Sequence, residues 1–174
     1  MQESENEVDY YKLAEQRLPR AWYEWDYFPS LSPLTFATGL TIWAFCIDKA
    51  ISLELYPFLI IPHIVSGFSY HFTNKLDIDS TVMHFDATER ARSEGVNYRV
   101  VEENELLSEV KSSDEFLNHP NLKGATMAQQ IVSIIIPGYG IGASISKTIQ
   151  AFSNFRLAKR MNLAADLARE NNFS

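Results

Sequence analysis

The chain has 174 residues, of which 46% are apolar and 21% charged, and its formal net charge is −7. That length makes one compact unit or a small module on a membrane anchor, and the acidic balance excludes nucleic acid as the principal partner, because phosphate binding needs a clustered basic face. The single cysteine, Cys46, allows no internal disulfide and no cysteine-based metal pattern.

Mean hydropathy is only −0.15, yet the apolar residues are concentrated. Tyr27–Ile47, Leu55–Asn74 and Gly124–Ser146 contain no Asp, Glu, Lys or Arg. About 20 apolar helical residues cross a bilayer core, so each stretch is a candidate span. The expected fold is mainly α: a transmembrane helical hairpin over residues 33–74, an acidic α-rich polar segment over 75–123, and an apolar Pro/Gly-broken segment with a C-terminal amphipathic helix over 124–174.

Residues 1–32 form an acidic N-terminal segment. Seven acids (Glu3, Glu5, Glu7, Asp9, Glu15, Glu24, Asp26) precede the first apolar stretch, which argues against a signal or transit peptide. Trp22, Tyr23, Trp25, Tyr27 and Phe28 have interfacial character, since an indole or phenol ring is apolar at one end and needs a wet partner at the other. A helix is expected from Pro33 or Leu34 to about Ile51, with Thr35, Thr38, Gly39 and Thr41 as small or hydroxyl residues suited to close intramembrane packing. Asp48–Glu54 is a short link, which makes the next stretch an antiparallel neighbour.

The second stretch contains Pro57, Pro62 and Gly67. These break soluble helices but are tolerated in membrane helices, where neighbours re-satisfy the freed carbonyls. In the polar middle, Asp86-Ala87-Thr88-Glu89 has capping-box spacing and Gly95 is a stop, predicting a helix over about 86–94. A short strand over 97–101, a helix over 102–111 and a turn from Ser113 to Asn118, ended by Pro120, are expected next. In the third stretch, Ile131–Ile136 runs into Pro137-Gly138-Tyr139-Gly140-Ile141-Gly142. That composition disfavours one continuous helix and predicts two half-helices, or a strand, loop and helix. Helical spacing resumes from about Ala143 to Asn171, with Arg156, Lys159 and Arg160 at i, i+3, i+4. These three read as contacts to anionic lipid or an acidic partner, or as a solvated face.

Charge places the ends. If only the first two stretches cross, 14 of the 15 Lys and Arg residues lie on one side, with Lys49 alone opposite. That obeys the positive-inside rule, so the third stretch is expected to dip into the membrane, lie on it or pack on the hairpin. The bulk of the chain then faces the cytoplasm or matrix, from a bacterial or organellar inner membrane.

Chemistry-bearing clusters are few. His71, Asp77, Asp79, His84 and Asp86 supply imidazoles and carboxylates within 16 residues, a donor set suited to a divalent metal but with no spacing of fixed mechanism. His63 is expected to be neutral and bonded to a carbonyl freed by the missing donor of Pro62 or Pro57. Gly138–Thr148 resembles a phosphate loop only in part, with Ser146 where Gly should precede Lys147-Thr148. No cofactor is expected. The function read from these features is a non-catalytic accessory or assembly subunit. Its partners would be other membrane subunits, through the 33–74 hairpin, and the bilayer, with Trp22, Trp25, Arg156, Lys159 and Arg160 as lipid or partner contacts. A membrane-associated metalloenzyme using the His71–Asp86 cluster and a soluble all-helical binding domain are the alternatives.

Overall fold

The structure is a computed structural model and describes residues 8–24, 32–97 and 113–172. Among them it is mainly α-helical and contains no strand. The helices are α1 (Tyr10–Arg17), α2 (Ser32–Ser52), α3 (Ile61–Ser93), α4 (Ser113–Asn118), α5 (Pro120–Ile135) and α6 (Pro137–Asn172). Short 3₁₀ turns lie at Trp22–Glu24 and Tyr56–Ile60. The expected strand over 97–101 and helix over 102–111 fall largely or wholly outside the described residues, as does Trp25.

Local chemistry sets the boundaries. Asp9 caps α1, its carboxylate accepting from the Lys12 N–H at 2.9 Å, which satisfies one of the orphan donors of a first turn. Pro62, Pro120 and Pro137 stand at or next to helix starts, where a missing N–H costs nothing. Pro120 therefore opens α5 as well as closing off α4. α3 stops at Gly95, in left-handed backbone at φ +82°, with the Val96 N–H returned to the Ala91 carbonyl at 3.0 Å. α2 stops by the same reverse geometry, with Leu55 N–H on the Ala50 carbonyl at 2.7 Å. Its left-handed residue is Glu54, at φ 56°.

α6 is the spine. Its main partners are α3, then α2, and α1 and α5 also pack on it. α3 and α6 are parallel: along their contact the sequence separation of bonded pairs stays between 70 and 76, from Ser66–Pro137 through Asp77–Lys147 to Arg90–Asp166. α5 is antiparallel to α3, since separations fall from 71 at His63–Ile134 to 59 at Tyr70–Gln129. α2 is antiparallel to α6, with Leu40 against Gly138 and Phe36 against Gly142. The first hairpin thus holds the start of α6 between its arms, and α2 packs chiefly on α6 rather than on α3.

The two ends of this bundle are built differently. At the lower end, α1 and the C-terminal halves of α3 and α6 enclose Ala14, Ala87, Ala91, Val96, Ala158, Met161, Ala164, Ala165 and Ala168. Small alanines bring the long helices close, and the cluster buries a continuous apolar surface between them. At the upper end, large apolar side chains point outward: Leu34, Ile42 and Phe45 of α2, Ile64, Phe68 and Phe72 of α3, and Ile131 and Ile135 of α5. What is buried there is small or polar, including Ser66, Gly67, Ser133, Gly138, Gly140 and Gly142.

The expected transmembrane hairpin needs correction. Among the described residues one helix, Pro33–Ser52, is long and apolar enough to cross a membrane, and only 17% of that window is buried. The second arm does not qualify. Its apolar stretch begins in a 3₁₀ turn, and α3 runs past Asn74 through Lys75, Asp77 and Asp79 without a break. Those charges lie in mid-helix, and the helix expected over 86–94 is the tail of the same element.

Candidate functional site

The helix break between α5 and α6 is the first polar feature inside the apolar end. Pro137 has no N–H, so the Ser133 carbonyl four residues earlier loses its ladder partner. The Ser66 hydroxyl of α3 supplies the missing bond at 2.7 Å and also lies 3.1 Å from the Pro137 carbonyl. His63 Nδ1 lies 2.7 Å from the Ile134 carbonyl. A carbonyl only accepts, so Nδ1 carries the proton in this contact. Contrary to the expectation from sequence, the carbonyl that His63 meets is not one freed by Pro57 or Pro62 but that of Ile134 on α5. Gln130 donates to the Gly67 carbonyl at 2.9 Å, and the Tyr70 hydroxyl to Gln129 Oε1 at 2.8 Å.

Close backbone approach makes this possible. A Cβ on Gly39 would run into the Gly138 carbonyl oxygen and stand 2.6 Å from the Gly142 nitrogen. A Cβ on Gly142 would stand 2.7 Å from the Thr35 carbonyl oxygen. The Gly138–Gly142 run is therefore a helix-crossing surface inside α6. It forms no loop, and the phosphate-loop geometry is absent from it.

Below the break, residues of α2, α3, α5 and α6 line an open cleft of about 630 Å³. Asp77 and Lys147 meet on its wall, with Nζ 3.1 Å from Oδ2 and the two side chains 17% and 26% exposed. Lys147 also lies 5.9 Å from the centre of the Tyr70 ring. Asp77 Oδ1 is buried and has no hydrogen-bond partner among the described residues. Burial pushes the Asp77 carboxyl above its ordinary range, and Lys147 offsets only part of that.

The expected metal cluster is not assembled. No group of three or more His, Cys, Asp or Glu side chains able to hold a metal occurs among the described residues. All five candidates lie on α3, and the 100° step of a helix scatters them. Asp77 and His84, seven residues apart, share the inward side about 10 Å apart along the axis. Asp79, Asp86 and His71 are exposed. Among the described residues His84 Nε2 is buried without a hydrogen-bond partner, and burial holds its imidazole below the ordinary value.

The expected lipid or partner contacts separate as well. Trp22 is 66% exposed, and Lys159 is exposed. Arg160 is fully buried, its Nη2 2.6 Å from Glu24 Oε2 and its Nε 3.1 Å from the Leu18 carbonyl. Arg156 Nε reaches the other Glu24 oxygen at 2.5 Å. The Glu24 side chain is 1% exposed. Burial works to raise its pKa, but the Ala21 N–H at 3.0 Å and the two guanidinium groups outweigh that and hold the carboxylate below its ordinary value. Two of the three basic residues therefore bind the chain's own N-terminal segment. The feature that sequence reasoning missed is the Asp77–Lys147 cleft, because the pair is 70 residues apart and no local spacing announces it.

No family model matches the chain, and no curated protein or solved structure matches it either.

Proposed function

We propose that this chain is a non-catalytic integral membrane protein, an accessory or assembly subunit that packs its apolar end against other membrane subunits. The observation that carries the reading is α2: within its 20-residue apolar stretch Pro33–Ser52, only 17% of an 18-residue apolar run is buried. A core helix of a soluble protein is mostly buried, and exposed apolar surface on this scale marks a membrane or protein contact. The outward apolar residues of α3 and α5 extend the same surface, and the polar groups at the α5–α6 break are turned inward and satisfied. That matches the demand of hydrocarbon that backbone groups find internal partners.

In this reading α2, with 21 residues, spans about 31 Å. The α5–α6 turn rises only about 15 Å above Lys147, to roughly the middle of the bilayer. The soluble end, with α1 and the alanine core, faces the cytoplasm or matrix of an inner membrane, as the Lys and Arg distribution favours. Native electrophoresis of mildly solubilised membranes tests the subunit role. The chain should migrate in a discrete complex with another membrane protein in fixed stoichiometry. A monomer in mild detergent that turns over a substrate would overturn it.

A further inference from the structure

We propose that the open cleft between α2, α3, α5 and α6 binds a neutral polyhydroxylated ring, a sugar, either free or as the head of a glycolipid. The charge of the cleft points away from an ion. Among the described residues that line it, only Asp77 and Lys147 are charged, and each answers the other across 3.1 Å. A bound cation would meet Lys147 and a bound anion would meet Asp77. A ligand without net charge leaves the pair intact.

The remaining polar groups suit a ligand that gives and takes hydrogen bonds together. Among the described residues, the Tyr139 and Ser146 hydroxyls and the Gln150 amide make no side-chain hydrogen bond. They stand at i, i+7, i+11 along one face of α6. A hydroxyl or an amide both donates and accepts. The ion pair is mixed in the same way: Lys147 keeps N–H groups beyond the one at Asp77, and Asp77 Oδ1 has no donor among the described residues. Sugar hydroxyls, each a donor and an acceptor, match this lining. A phosphate dianion only accepts and an ammonium only donates, so each leaves half of it unmet.

Aromatic rings border the same groups. Phe36, Tyr70 and Tyr139 line the cleft, with Phe36 and Tyr139 edge to face at 6.2 Å. The C–H face of a sugar ring is apolar and packs on aromatic carbon, while its rim of hydroxyls reaches polar neighbours. A lining of aromatic rings interleaved with amides and hydroxyls serves both surfaces, and about 630 Å³ is within the range of small-ligand sites. Pro33 and Phe36 also begin the exposed apolar side of α2 that continues through Ile42 and Phe45, where an alkyl chain on the sugar would lie. The glycolipid source rests on the membrane reading above, whereas the sugar site does not.

The test is a saturation-transfer NMR titration of the full chain in a polyoxyethylene detergent, whose micelle supplies alkyl chains but no sugar. The probes are methyl β-glucoside, methyl β-galactoside and octyl β-glucoside. Saturable binding of a methyl glycoside supports a free-sugar site, and saturable binding of octyl glucoside alone supports a glycolipid head-group site. In either case added salt should leave the affinity unchanged, because the ligand carries no charge, and neither inorganic phosphate nor ethanolamine should compete. Gln150→Ala, which leaves the ion pair in place, and Tyr139→Phe, which keeps the ring, should each weaken binding about fivefold, the worth of one neutral hydrogen bond. Lys159→Gln, at an exposed position of α6, should change nothing. Binding of no probe overturns the proposal, as does displacement by phosphate or ethanolamine, or binding that the folded Gln150→Ala and Tyr139→Phe variants leave unchanged. Such a failure would leave membrane extraction of the chain unaffected, so it is distinct from failure of the membrane reading.

Discussion

Ser66 gives its hydroxyl proton to the Ser133 carbonyl at 2.7 Å, the bond that Pro137, four residues further along, cannot make. A helix break inside an apolar end is thereby closed by a neighbouring helix. Replacing Ser66 with Ala leaves the carbonyl buried and unsatisfied, which costs about 1–3 kcal/mol. Thermal unfolding in detergent should show that loss, and Ser66→Thr, which keeps the hydroxyl, should retain more stability only if its extra methyl fits beside Gly140. An alanine variant as stable as the parent would mean that the carbonyl is satisfied by other means.

Gly39 and Gly142 set the separation of α2 and α6. An alanine at Gly39 meets backbone atoms, which move only with their helix. Gly39→Ala should cost about 1–3 kcal/mol, the usual range for overpacking, and should loosen α2 from α6. Gly124, with nothing within 4 Å of a built Cβ, is the control: Gly124→Ala in α5 should be neutral or slightly stabilising. Urea or thermal titration of the two variants checks the contrast.

The Glu24 carboxylate joins the N-terminal segment to α6 through two arginines. Glu24→Gln strips the countercharge from the fully buried Arg160 guanidinium, and breaking a buried pair from one side costs about 3–5 kcal/mol. Limited proteolysis should then cut near residues 17–24 well before the rest of the chain. Equal protection in parent and variant would contradict the tether.

His84 makes stability depend on pH. Its folded pKa lies below the ordinary value of 6.5, so the folded state binds fewer protons than the unfolded state in that region. Its contribution is complete above about pH 6.5 and is lost as pH falls toward the lowered value. Asp77 works with the opposite sign: its raised pKa costs stability as pH rises above the ordinary value of 3.8. His84→Gln should flatten the acid limb just below pH 6.5 relative to the parent, as read from melting temperatures across pH. An unchanged limb would assign it to other groups.

Much of this architecture was legible locally. The limits of α2, the stop at Gly95 and the break at Pro137 follow from proline, glycine and apolar run length, each acting within a few residues. The continuity of α3 past Asn74 was not legible, because the charge-free stretch ends there and an acidic segment begins at residue 75, whereas Lys147 on α6 answers Asp77 from 70 residues away. The Arg156–Arg160 cluster misled for the same reason, since its countercharge, Glu24, lies 132 to 136 residues distant. The five metal candidates were close in sequence, but the turn of one helix points them apart. Spacing along a chain reports which residues share a helix face, and partners supplied by another helix leave no such mark.

The most direct measurement is extraction of the expressed chain from membranes with alkaline carbonate and then with detergent. The account predicts that the chain stays in the pellet through the carbonate wash and is released only by detergent, because the exposed apolar faces of α2, α3 and α5 lie in lipid. Recovery in the soluble fraction before any detergent is added would contradict it.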